Sequence, residues 1–350
     1  MASLKQCAQL ISTSGDNVTY FLRGEPGCGK SSVLKLVESI LGEGYQYVYA
    51  DCPLMDLPDF AMPVVEHRTT HFAPSALWGF DDPRPKVIML DEVSKAPNVV
   101  KPMFTRLMLE RCIGEFKLPE GSIVFATGNN TSDGVGDTMQ GHINNRVTTI
   151  QVDKPDSDTW IEWAANNGVN AIVLAAVHQF PHVLNSYLDD PKGENPYIFN
   201  PKKNTGAFAS PRSLHKAGFI CDQRKLYGDD LALEALKGTV GVSFAGDMVA
   251  YMNVADQVPT WEQIEADPEK AEVPKSPAAQ LLLLFGSVMR VEDKTAPAYV
   301  KYFMRYQTEL RALWSKQFVN NNKAMAALMK VKAFTDNLVE NHWVYNGHGK

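Results

Sequence analysis

Gly24-Glu25-Pro26-Gly27-Cys28-Gly29-Lys30-Ser31 is the stretch that decides the fold. It fits the phosphate-cradling pattern G-x-x-x-x-G-K-[ST] without an exception. Before it, Val18-Thr19-Tyr20-Phe21-Leu22 is β-branched and aromatic, as a buried strand is. After it, Ser31 to Leu41 carries apolar residues at helical spacing. The glycines therefore sit where a strand turns into a helix N-terminus. There, backbone N–H groups can wrap phosphates, helped by the positive end of the helix dipole. The pattern assigns Gly24, Glu25, Pro26, Gly27, Cys28, Gly29, Lys30, Ser31 and Ser32 to the phosphates. Lys30 would reach the β- and γ-phosphates, and the Ser31 hydroxyl would lie on Mg²⁺. A chance glycine turn is the alternative, and the strand–loop–helix context weighs against it.

The rest of the chain sets bounds around that loop. Its 350 residues exceed what one core usually serves, which predicts two or three domains. Hydrophobic content of 45% and charged content of 21% are those of a soluble globular protein. A net charge of −6 argues against tight non-specific binding to duplex DNA, while leaving room for a local basic strip. Cys7, Cys28, Cys52, Cys112 and Cys221 are scattered, without C-x-x-C or His/Cys metal spacing. They read as reduced cytoplasmic thiols. Cys28, inside the loop, reads as a small filler residue, with an oxidation-sensitive point as the alternative. No charged segment followed by an apolar run opens the chain, so no secretory signal is expected. The longest apolar stretch, Ala278 to Met289, is too short to span a bilayer.

Along the first part of the chain strand and helix signals alternate, as in an α/β domain. Tyr45–Ala50, Lys86–Leu90, Ser122–Thr127 and Val147–Val152 read as further strands. From Pro155 onward helical patterns dominate, with Asp158–Ala165, Asn170–Val183 and Leu231–Leu236 among them. Pro259 to Pro277 is rich in Pro and acids and reads as a linker or exposed hairpin. Residues 278–345 read as two or three amphipathic helices. In one, Tyr299, Tyr302, Phe303, Tyr306, Leu310 and Leu313 recur at helical spacing, a stripe for a core or a subunit interface.

A second acidic site follows the loop in the chain. Val87-Ile88-Met89-Leu90-Asp91-Glu92 is four apolar residues and two carboxylates. At a strand end beside the loop, Asp91 can reach Mg²⁺ or its water shell, and Glu92 can orient and deprotonate the attacking water. Phosphoryl transfer asks a protein mainly for positioning and charge neutralisation. A later strand ends in Ala126-Thr127-Gly128-Asn129-Asn130. The Asn129 amide can hold the attacking water or sense the γ-phosphate, while Asn130 suits a turn cap and Thr127 a structural role.

Together these elements resemble an AAA+ ATPase, and within that superfamily the MoxR branch, over about residues 5–250. Gly24–Ser31 is similar to the family's Walker A, Leu90-Asp91-Glu92 to Walker B, and Ala126-Thr127-Gly128-Asn129 to its sensor 1. Leu107 to Pro119 resembles the helix ending in Glu-Arg and the β-hairpin that precede sensor 1. Asn144-Asn145-Arg146-Val147 matches the place of the arginine finger, with Asn145 and Val147 where the branch usually has Asp and Phe. Asn130 stands where Pro is common. Ala209-Ser210-Pro211-Arg212-Ser213-Leu214 is close to the branch's S-P-R sensor 2. Met62 to Pro74 fits the hairpin that the branch inserts in its second helix.

The fold class this implies is α/β. A P-loop AAA+ core, a parallel sheet sandwiched by helices, would cover 1–155. A helical lid over 156–256 and a C-terminal helical extension over 257–350 would follow, the extension outside the resemblance. The compact form is similar to phage- and operon-encoded members. The resemblance implies ATP and Mg²⁺ as cofactors, with Arg146 reaching a neighbour's nucleotide and Arg212 contacting the γ-phosphate in its own subunit or across the interface. Head-to-tail contacts close into rings or run on as filaments, and the family implies a homo-oligomer, a hexameric ring. Arg106 and Arg111 are secondary interface candidates. The implied partner is a protein client, for instance one with a von Willebrand factor A domain or a maturing metalloenzyme, in the cytoplasm and away from membranes. The competing expectation is a motor or loader on nucleic acid, for which Arg68, His67, His71 and Lys117 are the only pore-side candidates. A slow nucleotide-locked scaffold is a third, and Lys30, Asp91, Glu92 and Asn129 speak against it. No residue pattern separates ATP from GTP.

Overall fold

The apolar runs of the N-terminal part become strands in the computed structural model, which describes residues 1–130, 145–202 and 206–340. Among the described residues the strands are β1 (Tyr20–Gly24), β2 (Gln46–Asp51), β3 (Ala61–Glu66), β4 (Thr69–Pro74), β5 (Lys86–Asp91), β6 (Cys112–Ile113), β7 (Phe116–Lys117), β8 (Ile123–Asn129) and β9 (Thr148–Gln151). β2, β5, β8, β1 and β9, in that spatial order, form a wholly parallel sheet. β3 with β4, and β6 with β7, are separate antiparallel hairpins. Contacts divide the chain into two compact units, Met1–Lys154 and Pro155–Lys350.

In the first unit the sheet is covered on both faces. Helices α1 (Leu4–Ser14) and α2 (Val33–Leu41) pack Ile11, Val33 and Val37 against Leu22, Val87, Met89, Ile123 and Phe125. On the other face α3 (Lys101–Glu110) packs Phe104 and Leu107 against Phe21, Ile88, Leu90, Val124 and Ala126. Alternate residues of β5 thus serve opposite cores. Every residue of β5 and β8 is buried, which is why both read as continuous apolar runs rather than alternating ones. The helix expected from Ser31 starts with a 3₁₀ turn, Lys30–Ser32, before α2.

The second unit is helical among its described residues. Its helices are α4 (Ser157–Asn166), α5 (Ala171–Gln179), α6 (Pro211–Asp222), α7 (Arg224–Tyr227), α8 (Asp229–Val240), α9 (Val242–Ala255), α10 (Trp261–Ala266), α11 (Pro277–Ser287), α12 (Ala296–Phe303), α13 (Thr308–Lys316), α14 (Asn322–Leu328) and α15 (Lys332–Glu340). The helix expected over Asn170–Val183 stops at Gln179, because Pro181 cannot continue it and opens a 3₁₀ turn instead. One hydrophobic core runs from Trp160 to Phe334, so the described residues of 156–256 and 257–340 pack together. None of the described helices is long and apolar enough to cross a membrane.

Two expectations about the C-terminal part need correction. Pro259 to Pro277 is neither linker nor hairpin. Ile264 of α10 is fully buried, and the Trp261 ring lies 5.8 Å from that of Tyr299. The Tyr302 hydroxyl donates to Glu272 O, and Arg305 donates to Pro268 O and Ala271 O, each at 2.7 Å. The acids that suggested a linker face outward, while the apolar residues between them anchor the segment. Nor is the aromatic stripe one helix. It breaks after Phe303 and resumes in α13, and among the described residues the C-terminal region holds five short helices, α11 to α15, where two or three were expected. The stripe's aromatic residues are core: Tyr299, Tyr302, Phe303 and Tyr306 are all buried. Phe303, Phe318 and Phe334 gather around Trp314, whose ring stacks on Phe303 at 4.7 Å and whose indole N–H donates to Ser287 Oγ at 2.9 Å.

Trp314→Ala removes that centre. It should lower the unfolding free energy of this unit by about 3–5 kcal/mol, as read by urea denaturation. A loss under about 1 kcal/mol would show that the ring is dispensable to the core.

Candidate active site

Parallel pairing brings three strand ends to one level. Gly24 at the end of β1 lies opposite Asn129 at the end of β8, and Leu90 of β5 lies opposite Ala126, so Asp91 comes level with Thr127. Ligand sites of open parallel sheets lie at these C-terminal ends. The chain leaving β1 forms the phosphate loop, where Gly27 and Gly29 take φ of 77° and 102°. Only glycine adopts such angles without strain, and two of them turn the loop tightly enough for its N–H groups to point inward.

Lys30 is 6% exposed. Its ammonium donates to Gly24 O and Glu25 O, both at 2.8 Å, and to Asn129 Oδ1 at 3.1 Å. All three of its donors are met, which makes burial of the charge tolerable. Asn129 Nδ2 in turn donates to Glu92 Oε1 at 3.4 Å. The other Glu92 oxygen pairs with Lys95 Nζ at 2.6 Å. Glu92 itself sits at φ 51°, a left-handed conformation uncommon for a side-chain-bearing residue, and opens the 3₁₀ turn Val93–Lys95. Such a conformation costs about 1–3 kcal/mol and persists where surrounding structure enforces it. Here the Glu92 backbone N–H donates to Thr127 Oγ1 at 3.1 Å, which fixes the turn to β8.

Asp91 is held by hydroxyls. Ser31 Oγ donates to Oδ2 at 3.0 Å, the Tyr49 hydroxyl donates to the same oxygen at 2.8 Å, and the Thr127 hydroxyl donates to Oδ1. Thr127, read as structural, thus orients both carboxylate residues at once. Glu25 and Lys154 form a buried ion pair, with Nζ and Oε2 3.8 Å apart and side chains 7% and 6% exposed. Burial pushes the Lys154 amine down, and the Glu25 carboxylate opposes that. The pair ties the loop to the chain just beyond β9.

The structure brings together Gly24–Ser32, Asp91, Glu92 and Asn129. Arg146 is exposed on the segment entering β9, the edge strand beside β1. Arg212 is exposed in the first turn of α6, behind the Ser210 cap, in the second unit. Asn144 and the Gly-rich run Gly134 to Gly141 lie outside the described residues. Of the secondary arginines, Arg106 pairs on the surface with Glu110 at 2.8 Å. Arg111 is half-buried and is bound within its own unit. Its guanidinium turns inward to Thr19 Oγ1 at 2.8 Å and Gly15 O at 3.1 Å, from a residue at φ 56° that ends α3. Asn130 Oδ1 accepts from Gln151 Nε2 at 3.0 Å, joining β8 to β9 across β1.

Tyr49, Lys95 and Lys154 were not singled out by the sequence. Lys95 had a signal, three residues after Glu92, the spacing of side-chain pairs on a helical turn. Tyr49 and Lys154 had none, since both act on residues far away in the chain.

Residues 19–131 match the family profile of the AAA domain, dynein-related subfamily. This stretch is an AAA domain. It runs from the start of β1 past β8 and encloses Lys30, Asp91, Glu92 and Asn129. With the phosphate loop and both carboxylates assembled in it, the domain is that of an ATPase. No protein of curated function matches the sequence. Among solved structures, the chain is similar to a candidate ATPase from Cytophaga hutchinsonii ATCC 33406, at 13% identity and TM-score 0.34, covering 67% of this chain and 80% of that one. It is also similar to NtrX from Brucella abortus in complex with ATP, at 12% identity and TM-score 0.39, covering 96% of this chain and 66% of that one. The ADP complex of NtrX gives 12% and 0.35, with 96% and 67% covered. With TM-scores below 0.5, none of these likenesses bears on what the chain does.

Burial pushes the Cys7 thiol up to about 11 and raises that of Cys28. The thiolate is the reactive form, so both should be inert near neutrality. Cys52 and Cys221 are likewise buried and raised, whereas Cys112 is half-buried. Alkylation of the native protein at about pH 8 should therefore modify Cys112 first and the other four only with denaturant. Rapid native labelling of Cys28, read by peptide mass, would contradict its role as buried filler.

Proposed function

We propose that this chain is a MoxR-like AAA+ ATPase that hydrolyses ATP with Mg²⁺ at the subunit interfaces of a hexameric ring, and thereby remodels or matures a protein partner in the cytoplasm. The observation that carries this reading is the continuous polar chain Lys30–Asn129–Glu92, beside an Asp91 already hydrogen-bonded to Ser31.

The residues fit Mg²⁺. Ser31 Oγ and Asp91 Oδ2 are hard oxygen donors 3.0 Å apart. Among the described residues no group of three or more His, Cys, Asp and Glu side chains could hold a metal. Mg²⁺ needs none, because it takes one or two carboxylates together with phosphate oxygens. Ser31 and Asp91 would hold it, and it would offset charge on the β- and γ-phosphates.

The chain's own groups do the rest. Loop N–H groups and Lys30 bind and orient the phosphates. Glu92 takes the proton of the attacking water through a carboxylate oxygen, and Asn129 steers that water. Arg146 would reach the adjoining subunit's nucleotide and offset the negative charge of the transition state, an effect worth about 10³–10⁵ in rate. Its exposure at the sheet edge supports that role. Arg212, exposed in α6, would read the γ-phosphate and link the helical unit to nucleotide state.

The β3–β4 hairpin supports a protein partner over nucleic acid. Met62, Val65 and Phe72 are 52%, 72% and 55% exposed on it. Apolar surface of this kind suits a polypeptide better than a phosphate backbone. Five free thiols, four of them buried, fit a reducing compartment.

A shared active centre predicts complementation. Arg146→Ala and Lys30→Ala proteins should each be nearly inactive, with Arg146→Ala still binding ATP. Mixed, they should recover a substantial fraction of turnover, because some sites pair an intact loop with an intact arginine. Absence of recovery under conditions where the subunits exchange would contradict the trans arginine. In a separate assay, single-stranded DNA at about 0.15 M salt should leave turnover unchanged. Marked stimulation would favour the nucleic-acid motor.

A further inference from the structure

Asp91 is 8% exposed and receives hydroxyls from three different strands or loops. Two of these, Ser31 and Thr127, belong to segments already assigned to the site. The third, Tyr49, comes from β2, a strand with no assigned part in it. Pairing of β2 with β5 sets Asp51 opposite Asp91, so Tyr49 stands two residues back, on the same face of the strand as Asp51. Tyr49 is 45% exposed. A tyrosine so exposed can give its hydroxyl to water at no cost, so burial does not explain why this one points at a carboxylate.

We infer that Tyr49 is a positioning residue for the metal ligand Asp91, an inference that rests on the Mg²⁺–ATP reading of the site. The two oxygens of a carboxylate offer about four acceptor positions. Thr127 takes one on Oδ1, while Ser31 and Tyr49 take two on Oδ2, so a cation held by Ser31 and Asp91 would take the place of the Ser31 proton on Oδ2 and leave the Tyr49 bond in place. Donors on both oxygens stop the carboxylate from rotating. Tyr49 approaches from the β2 side and Ser31 from the phosphate loop, so Oδ2 stays directed toward the Ser31 hydroxyl, the other donor assigned to the metal. A carboxylate fixed this way spends no rotational freedom on binding a cation. Removing such an outer partner typically costs 10–100-fold in metal affinity.

Tyr49→Phe keeps the ring and deletes the donor. Because the ring is half exposed, the variant should melt within a few degrees of the wild type. Binding of a fluorescent ATP analogue, followed by anisotropy, supplies a readout independent of turnover. In EDTA, Tyr49→Phe should bind the analogue as the wild type does. In a Mg²⁺ titration, its half-saturation should move up by about 10-fold or more. The Mg²⁺ dependence of turnover should move in parallel, with the rate at saturating Mg²⁺ largely kept. Identical Mg²⁺ titrations would overturn the role of Tyr49 and leave the functional reading intact. An equal loss of binding in EDTA would mark a role in folding the loop, and would also overturn it. A wild-type protein indifferent to Mg²⁺ would overturn the metal reading, and the role of Tyr49 with it.

Discussion

Parallel backbone pairing among β5, β8 and β1 is the constraint on which the site depends. It makes three strands end side by side, so that Asp91, Thr127, Asn129 and the start of the phosphate loop meet although they are far apart in the chain. A slip of one residue in such a sheet turns every side chain to the opposite face. Here it would carry Asp91 away from Ser31 and Thr127. Both faces of β5 and β8 are fully buried, so the register is strongly specified by packing. The polar groups appear only where the apolar run stops. The same burial that stabilises the sheet therefore aims the chemistry at its C-terminal edge.

The polar groups at that edge neutralise one another. Lys30 meets two loop carbonyls and Asn129, Asn129 meets Glu92, and Glu92 meets Lys95. A buried polar network of this kind is stable only when its members are satisfied, and then it is rigid. Rigidity is what phosphoryl transfer requires, since most of its catalysis is positioning and charge stabilisation. The Lys95–Glu92 pair is partly exposed and so holds the carboxylate only weakly. The Glu25–Lys154 pair is buried on both sides, and removal of one partner would leave an uncompensated charge under the loop.

Much of this was legible in the sequence. The strands of the sheet announce themselves by β-branched and aromatic runs, and the loop by glycines that the backbone angles at Gly27 and Gly29 require. Less legible was anything that depends on contacts across the chain. Tyr47 and Tyr49 follow the same alternation along β2, yet only the pairing of β2 with β5 puts the Tyr49 hydroxyl on Asp91. Arg111 carries a charge that suggests a surface, while its guanidinium turns inward. Pro259 to Pro277 has the composition of a linker, but composition does not reveal that Trp261 meets the ring of Tyr299, far along the chain, or that Ile264 joins the same core. Helical periodicity carried the aromatic stripe straight through Met304 to Gln307, where the chain in fact turns.

The most direct measurement of interface catalysis is ATP turnover per subunit as a function of protein concentration, with the assembly state followed in parallel by sedimentation. Shared active centres predict a specific activity that is low in dilute monomer and climbs to a plateau as the subunits assemble. A constant, full specific activity in material that sediments as monomer at every concentration would contradict it.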